Sequence, residues 1–281
     1  MLKQRILTAI VLLALLLPAL FATSPWPFVL FTLLAVAAAG WEWGRLNGGG
    51  FGAALALGAL VAAACLLALQ QGWAAVAPSP WWLAATLAWL LAAFVLLPRG
   101  PEGWPLIAQA LRWLIGFAAL VCAWLAMAQA RSIGLNFLLS VFCLVWMADI
   151  AAYFSGRAFG RRKLAPRISP GKSWEGVAGG MLGVLLLAVL WLMVERSRGA
   201  AQPSLYALLV DGLGWPLAAL ALAALAGISV VGDLFESLVK RAVGAKDSSA
   251  LLPGHGGVLD RIDALLPTFP VALSLVALAT R

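Results

Sequence analysis

Three short stretches of this 281-residue chain combine residue types that could do chemistry, and all lie after residue 140. The richest is KRAVGAKDSSALLPGHGGVLDRID, Lys240 to Asp263. It crowds seven charged residues and the sole histidine, His255, into 24 positions of a sequence that is 64% hydrophobic. Just upstream, VVGDLFESLVKR sets Asp233, Ser237 and Lys240 at i, i+4 and i+7, with Glu236 one turn from Asp233. That spacing puts a polar stripe on one face of an otherwise apolar helix. The following loop contains Gly244, Pro253, Gly254, Gly256 and Gly257, which permit sharp turns and let Asp260 and Asp263 fold back toward Asp233. Carboxylates converging without Cys or further His suit a hard cation. Magnesium fits best, because it takes one or two carboxylates and completes its shell from waters and substrate phosphates. Asp233 and Asp260 are the expected ligands. Lys and Arg around them would neutralise a phosphate-bearing substrate; a structural network of ion pairs is the plainer alternative.

The second stretch is ISPGKSWEG, where Ser169 and Ser173 flank a Pro-Gly turn and Glu175 follows. The turn delivers Lys172 and Ser173 to a helix amino terminus, where free N–H groups favour phosphate. Its GKS is not a P-loop: Pro166 stands where the first glycine belongs, and no strand is expected before it. A plain cap with a snorkelling lysine is the alternative. The third stretch, WMADIAAYFSGRAFGRRK, places Asp149 four residues before Tyr153 on one helix face, with Gly156 and Gly160 continuing the stripe. A carboxylate inside a membrane helix costs about 2.5–3.5 kcal/mol on insertion scales, so Asp149 is there for a partner or a function.

The elements that must position these residues are membrane helices. Only 11% of residues are charged, and apolar runs near the length of a bilayer crossing recur along the chain. The expected fold is all-α and polytopic, with spans at about 6–22, 27–44, 51–70, 81–97, 113–130, 135–153, 174–194, 215–238 and 264–280. The first run, after Lys3 and Arg5, has no convincing cleavage site and reads as a retained helix. NGGGFG, from Asn47, reads as a tight turn between spans two and three. With the amino terminus cytoplasmic, 15 of the 19 Lys and Arg fall on cytoplasmic segments, leaving Arg131, Arg196, Arg198 and Arg281 outside. The formal net charge of +8 therefore points to anionic lipid rather than nucleic acid. Cys65, Cys122 and Cys143 lie in separate apolar runs and read as packing residues. The first four spans are mostly Ala and Leu, with few polar side chains except Glu42, Arg45 and Gln70, so residues 1–112 read as scaffold and 113–281 as the catalytic region.

The chain resembles the phosphatidate cytidylyltransferases, also called CDP-diacylglycerol synthases. The resemblance rests on Ser237, Lys240, Arg241, Lys246, Asp247, His255, Gly256, Gly257, Asp260, Arg261 and Asp263 at the family's spacing, and extends to SPGKSWEG and DIAAYFSGRAFG. It implies an integral membrane nucleotidyltransferase of phospholipid biosynthesis, in the inner membrane of a bacterium. CTP and phosphatidic acid would become CDP-diacylglycerol and pyrophosphate, with magnesium, room for a second cation such as K+, and a homodimer. By the same resemblance Asp233, Lys240, Arg241, Lys246, Asp247, His255, Asp260, Arg261 and Asp263 would serve catalysis. Asp149, Tyr153, Ser169, Lys172, Ser173, Glu175, Ser237, Gly256 and Gly257 would bind substrate. The chemistry agrees: a phosphate monoester has a second pKa of about 6, so the nucleophile is already ionised at neutral pH and needs no strong base. His255 is then a phosphate donor or an acid–base group, or it braces the Gly-rich loop. Two rival readings exist. His255 and Asp260 also match the His-x4-Asp of glycerolipid acyltransferases, and Asp149 with Asp233 could line a transporter's ion path.

Overall fold

The computed structural model describes residues 2–280, leaving aside the side chains of residues 2, 3, 5, 6 and 9. Of the basic residues that set the expected orientation, Lys3, Arg5 and Arg281 therefore lie outside what is described. Helices dominate: α1 (Leu2–Phe21), α2 (Trp26–Leu46), α3 (Phe51–Gln70), α4 (Ser79–Arg99), α5 (Gln109–Ile133), α6 (Leu135–Phe159), α7 (Trp174–Arg198), α8 (Leu205–Ala242) and α9 (Leu259–Ala279). Among the described residues, all but α1 are long and apolar enough to cross a membrane; α1 contributes the apolar stretch Ile10–Phe21. Their outward faces carry exposed Leu34, Leu60, Leu87, Phe94, Leu186 and Leu220, as expected of surfaces solvated by hydrocarbon, where only helices satisfy the backbone internally.

Turns fall where Pro and Gly allow them. Asn47 caps α2, and Gly48 adopts a left-handed φ of +81°. At 38 residues α8 exceeds a bilayer crossing, and it is bent at Gly214 (φ +75°), two residues before Pro216. A short leading segment thus precedes the span that carries Asp233. The one departure in fold type precedes α7. Strands β1 (Lys163–Ala165) and β2 (Ser169–Ser173) pair antiparallel, with Lys163 opposite Ser173. The SPGKS segment is thus itself a strand feeding a helix, which corrects the expectation that none precedes Lys172. It belongs to a hairpin rather than a parallel sheet, so the P-loop comparison still fails.

Hydrogen bonds between loops sort the turns onto two faces. On one, Thr8 of α1 donates to the Pro253 carbonyl at 2.9 Å, Gln109 donates to Asn47 O at 2.8 Å, and Arg167 reaches Pro98 O and Glu102. On the other, Arg131 donates to Ala22 O, Ser132 to Ala75 O, and Asn136 to Gln202 O. All three candidate stretches lie toward the first face. One contiguous core runs from Leu20 to Leu273 across residue 112.

Two packing devices fix the site's helices. Along the α6–α7 contact, a Cβ on Gly180 would stand 2.8 Å from Ala148 O and one on Gly176 3.0 Å from Ala152 O. Only small residues allow that approach. On α8, Phe235 is 2% exposed and enters a cage of Trp43, Trp89 and Trp104, with ring centroids 5.4–5.9 Å away. That plug sets the register of its neighbours Asp233 and Glu236.

Candidate active site

A cleft of about 410 Å³ opens between α6, the hairpin and α8, and its walls include Asp149, Tyr153, Ser169, Lys172, Ser173 and Asp233. The second and third stretches thus meet Asp233 in one place, and none of the residues from Lys240 to Asp263 lines this cleft. Lys172 reaches across from β2 to Asp233, Nζ to Oδ2 at 2.5 Å, and Ser237 donates to Asp233 Oδ1 at 3.2 Å from one turn further along α8. On the α6 wall, Arg157 donates to the Tyr153 hydroxyl at 3.3 Å.

Two residues of the stretch build the cleft from behind. Ser173 caps α7, its hydroxyl accepting from Gly176 N at 3.1 Å, and it packs against Gly156, where a Cβ would stand 3.2 Å from it. Glu175 turns away from the cleft and accepts the backbone N–H groups of Arg161 and Arg162 at 3.1–3.2 Å. It therefore anchors the start of the hairpin whose far strand carries Lys172.

Beyond Asp233 the charges continue as a chain. Asp263, at the start of α9, is within Coulombic reach of Asp233, Lys172 and Lys240. Lys240 pairs with Glu236 and with Asp260, the latter at 2.5 Å. Asp233 thus pairs with Lys172, Glu236 and Asp260 pair with Lys240, and Asp149 and Asp263 lie within Coulombic reach of Lys172. The donor set is all oxygen and has an acidic excess, which fits a divalent cation that shares its shell with phosphate. Among the described residues no three His, Cys, Asp or Glu form a ready cage, and magnesium requires none. The loop folds back and brings Asp260 onto Lys240, one helical stripe along α8 from Asp233. Asp260 takes Lys240 on Oδ1 and accepts Ser248 N, Ser248 Oγ and Gly257 N on Oδ2, at 2.7–2.9 Å for the last three.

The glycines of HGG follow from this grip. Gly256 has φ +79°, and a Cβ there would stand 2.6 Å from Asp260 Oδ2. Gly257 is boxed in by Ser248 and Glu42. His255 is half-buried; its Nδ1 is shielded from solvent without a hydrogen-bond partner, so the His–Asp pairing of an acyltransferase is not formed. Arg261 donates twice to the His255 carbonyl, at 2.6 and 3.1 Å, and braces it. Arg241 donates to Ala245 O at 3.2 Å, while Lys246 and Asp247 are exposed on the loop.

A model of the cytidylyltransferase family matches residues 3–279. The chain belongs to that family. It is 43% identical over 284 residues to a phosphatidate cytidylyltransferase of Pseudomonas aeruginosa, covering 98% of this chain and 97% of that protein. With the enzyme of that name from Haemophilus influenzae the identity is 40% over 298 residues, covering 96% of each. That of Thermotoga maritima matches at 42% over 142 residues, half of this chain and 49% of its own length. Family membership makes the chain a nucleotidyltransferase.

Sequence reasoning marks Glu42 as a polar exception in the first four spans but gives it no role. It lies in the supposed scaffold, yet it is fully buried and accepts hydrogen bonds from Ser249, Val258 and Leu259 of the signature loop. Its only sequence signal is a carboxylate in an apolar helix, which is costly unless it has work to do.

Proposed function

We propose that this protein is a phosphatidate cytidylyltransferase, converting CTP and phosphatidic acid to CDP-diacylglycerol and pyrophosphate. The observation that carries the reading is the convergence of SPGKS and the DIAAYFSGR helix on Asp233 at one cleft. Near full-length relatives bearing that name support it. We place the site on the cytoplasmic face of a bacterial inner membrane, as the distribution of Lys and Arg favours, and we assign the working form as a homodimer on family resemblance.

In the reaction a phosphate oxygen of phosphatidate bonds to the α-phosphorus of CTP. The bond from that phosphorus to its bridging oxygen breaks, and the electron pair leaves with pyrophosphate. Because the nucleophile is already ionised, the residues have two tasks: holding two anions together and receiving the leaving group's charge. Lys172, released from Asp233, would meet phosphate oxygens at the cleft, and Arg157, Arg241 and Lys246 would add positive charge around it. Arg261 holds His255 in place and Ser237 orients Asp233. Magnesium, when bound, would neutralise phosphate oxygens as a Lewis acid, with Asp233 and Asp149 of the cleft as the carboxylates placed to hold it; Asp260, the other expected holder, would first have to give up Lys240, Ser248 and Gly257.

The test is pyrophosphate release by purified protein in detergent micelles containing phosphatidic acid, CTP and magnesium, with no vesicle present. We expect turnover that depends on both substrates and falls by orders of magnitude in Asp233→Asn. Absence of CTP- and phosphatidate-dependent pyrophosphate from folded protein overturns the reading. A transporter would give no such product without a membrane barrier.

A further inference from the structure

We infer that Glu42 is a positioning residue that clamps the signature loop from a helix more than two hundred positions away in sequence. A carboxylate buried alone is prohibitively unfavourable and normally finds a cation. Glu42 is 0% exposed, and its hydrogen-bond partners are all neutral donors. Oε1 accepts from Ser249 Oγ at 2.5 Å and Val258 N at 3.0 Å, while Oε2 accepts from Leu259 N at 2.7 Å and lies 3.2 Å from Ser248 Oγ. Val258 is the N-cap and Leu259 the first residue of α9, so the carboxylate takes two backbone N–H groups that the helix itself leaves without an acceptor. Such a terminus could otherwise take a substrate phosphate. Here the protein's own carboxylate fills it.

The loop is therefore held by two carboxylates. Asp260 grips Ser248 and Gly257 from the α9 side, taking the single Ser248 hydroxyl proton at 2.8 Å, and Glu42 grips Ser249, Val258 and Leu259 from α2. Gly257 lies between them with no room for a side chain. The clamp matters beyond the loop because Asp260 also holds Lys240. Loss of the Glu42 grip frees the segment from Lys246 to His255 and loosens the chain of charges that leads to Asp233. This function for Glu42 rests on the activity proposed above; the clamp itself does not.

Glu42→Gln distinguishes the charge from the shape. The amide nitrogen, at either oxygen position, would point its hydrogens at a backbone N–H that cannot accept them. We expect this variant to lose about tenfold or more in kcat/KM, with KM for CTP rising more than kcat falls. Its thermal unfolding in detergent should stay close to wild type, and trypsin should cut after exposed Lys246 several times faster. Ser249→Ala removes one donor to Glu42, together with the acceptor for Leu251 N, and keeps both backbone bonds to Glu42, so it should fold normally and show a smaller change, about two- to fivefold, in the same two readouts; Ser249→Thr, which keeps the hydroxyl, should restore both. Wild-type kinetics and wild-type cleavage in Ser249→Ala, or in folded Glu42→Gln, overturn the clamp. So does a loss of activity matched by an equal loss of folded protein. If the wild type makes no pyrophosphate, the activity reading fails, while the cleavage rates still decide the clamp.

Discussion

At the scale of single residues, the signature divides into groups committed to the protein and groups left available. Arg261 and Glu175 spend their hydrogen bonds on loop and hairpin backbone, Ser173 on the first turn of α7, and Asp260 on Lys240, Ser248 and Gly257. His255 is different: its carbonyl is fixed by Arg261, while Nδ1 has no partner. A shielded ring nitrogen left unpaired in this way is costly unless a ligand completes it. Because the phosphatidate nucleophile needs no base, we predict a hydrogen-bonding part for this ring in holding CTP. His255→Gln keeps a donor of similar reach and should retain more activity than His255→Ala, with the loss mainly in apparent CTP affinity, as steady-state kinetics at saturating phosphatidate will report. Equal collapse of kcat in both variants, with CTP binding and thermal stability intact, would make His255 an acid–base group instead.

At the scale of elements, what the sequence makes legible is what periodicity and length encode. Apolar runs announce α2 to α7 almost to their ends, and i, i+4 spacing puts Ser237 beneath Asp233 as observed at 3.2 Å. Legibility fails where a partner lies far away in sequence or an element is too short to show a period. Glu42 is separated from Ser248 by 206 positions, and no local pattern signals that pairing. Strand β2 has five residues, two of them Pro and Gly, so it reads as a turn. The aromatic cage is equally hidden, because Trp43, Trp89 and Trp104 come from α2, α4 and the loop after α4. Phe235→Ala would leave that cage empty, and a buried Phe truncation costs roughly 3–5 kcal/mol. We expect a large drop in thermal stability and, in whatever fraction stays folded, poorer turnover because Asp233 and Glu236 lose their register. A drop of less than about 1 kcal/mol would mean that the cage does not set α8.

At the scale of the whole molecule, the argument concerns which loops share a face. Thr8 on Pro253 ties α1 to the signature loop, Gln109 on Asn47 ties the start of α5 to the α2–α3 turn, and Arg167 on Pro98 ties the hairpin to the end of α4. The opposite ends meet through Arg131, Ser132 and Gln202. Charge follows this division: Arg161, Arg162, Lys163, Arg167 and Lys246 are exposed on the first face. Such a basic surface is retained on the side where the inner leaflet is anionic and the membrane potential is negative. Single cysteines at Gly50, Arg162 and Ala200, all exposed positions, test it in a background with Cys65, Cys122 and Cys143 replaced. In right-side-out vesicles an impermeant maleimide should label Ala200→Cys alone, and in inverted vesicles it should label Gly50→Cys and Arg162→Cys alone. Labelling of Gly50→Cys and Ala200→Cys from one side would break the two-face arrangement. Labelling of all three in the reverse sense would keep that arrangement and turn the cleft to the outside, where CTP is absent, removing the physical basis for the proposed reaction.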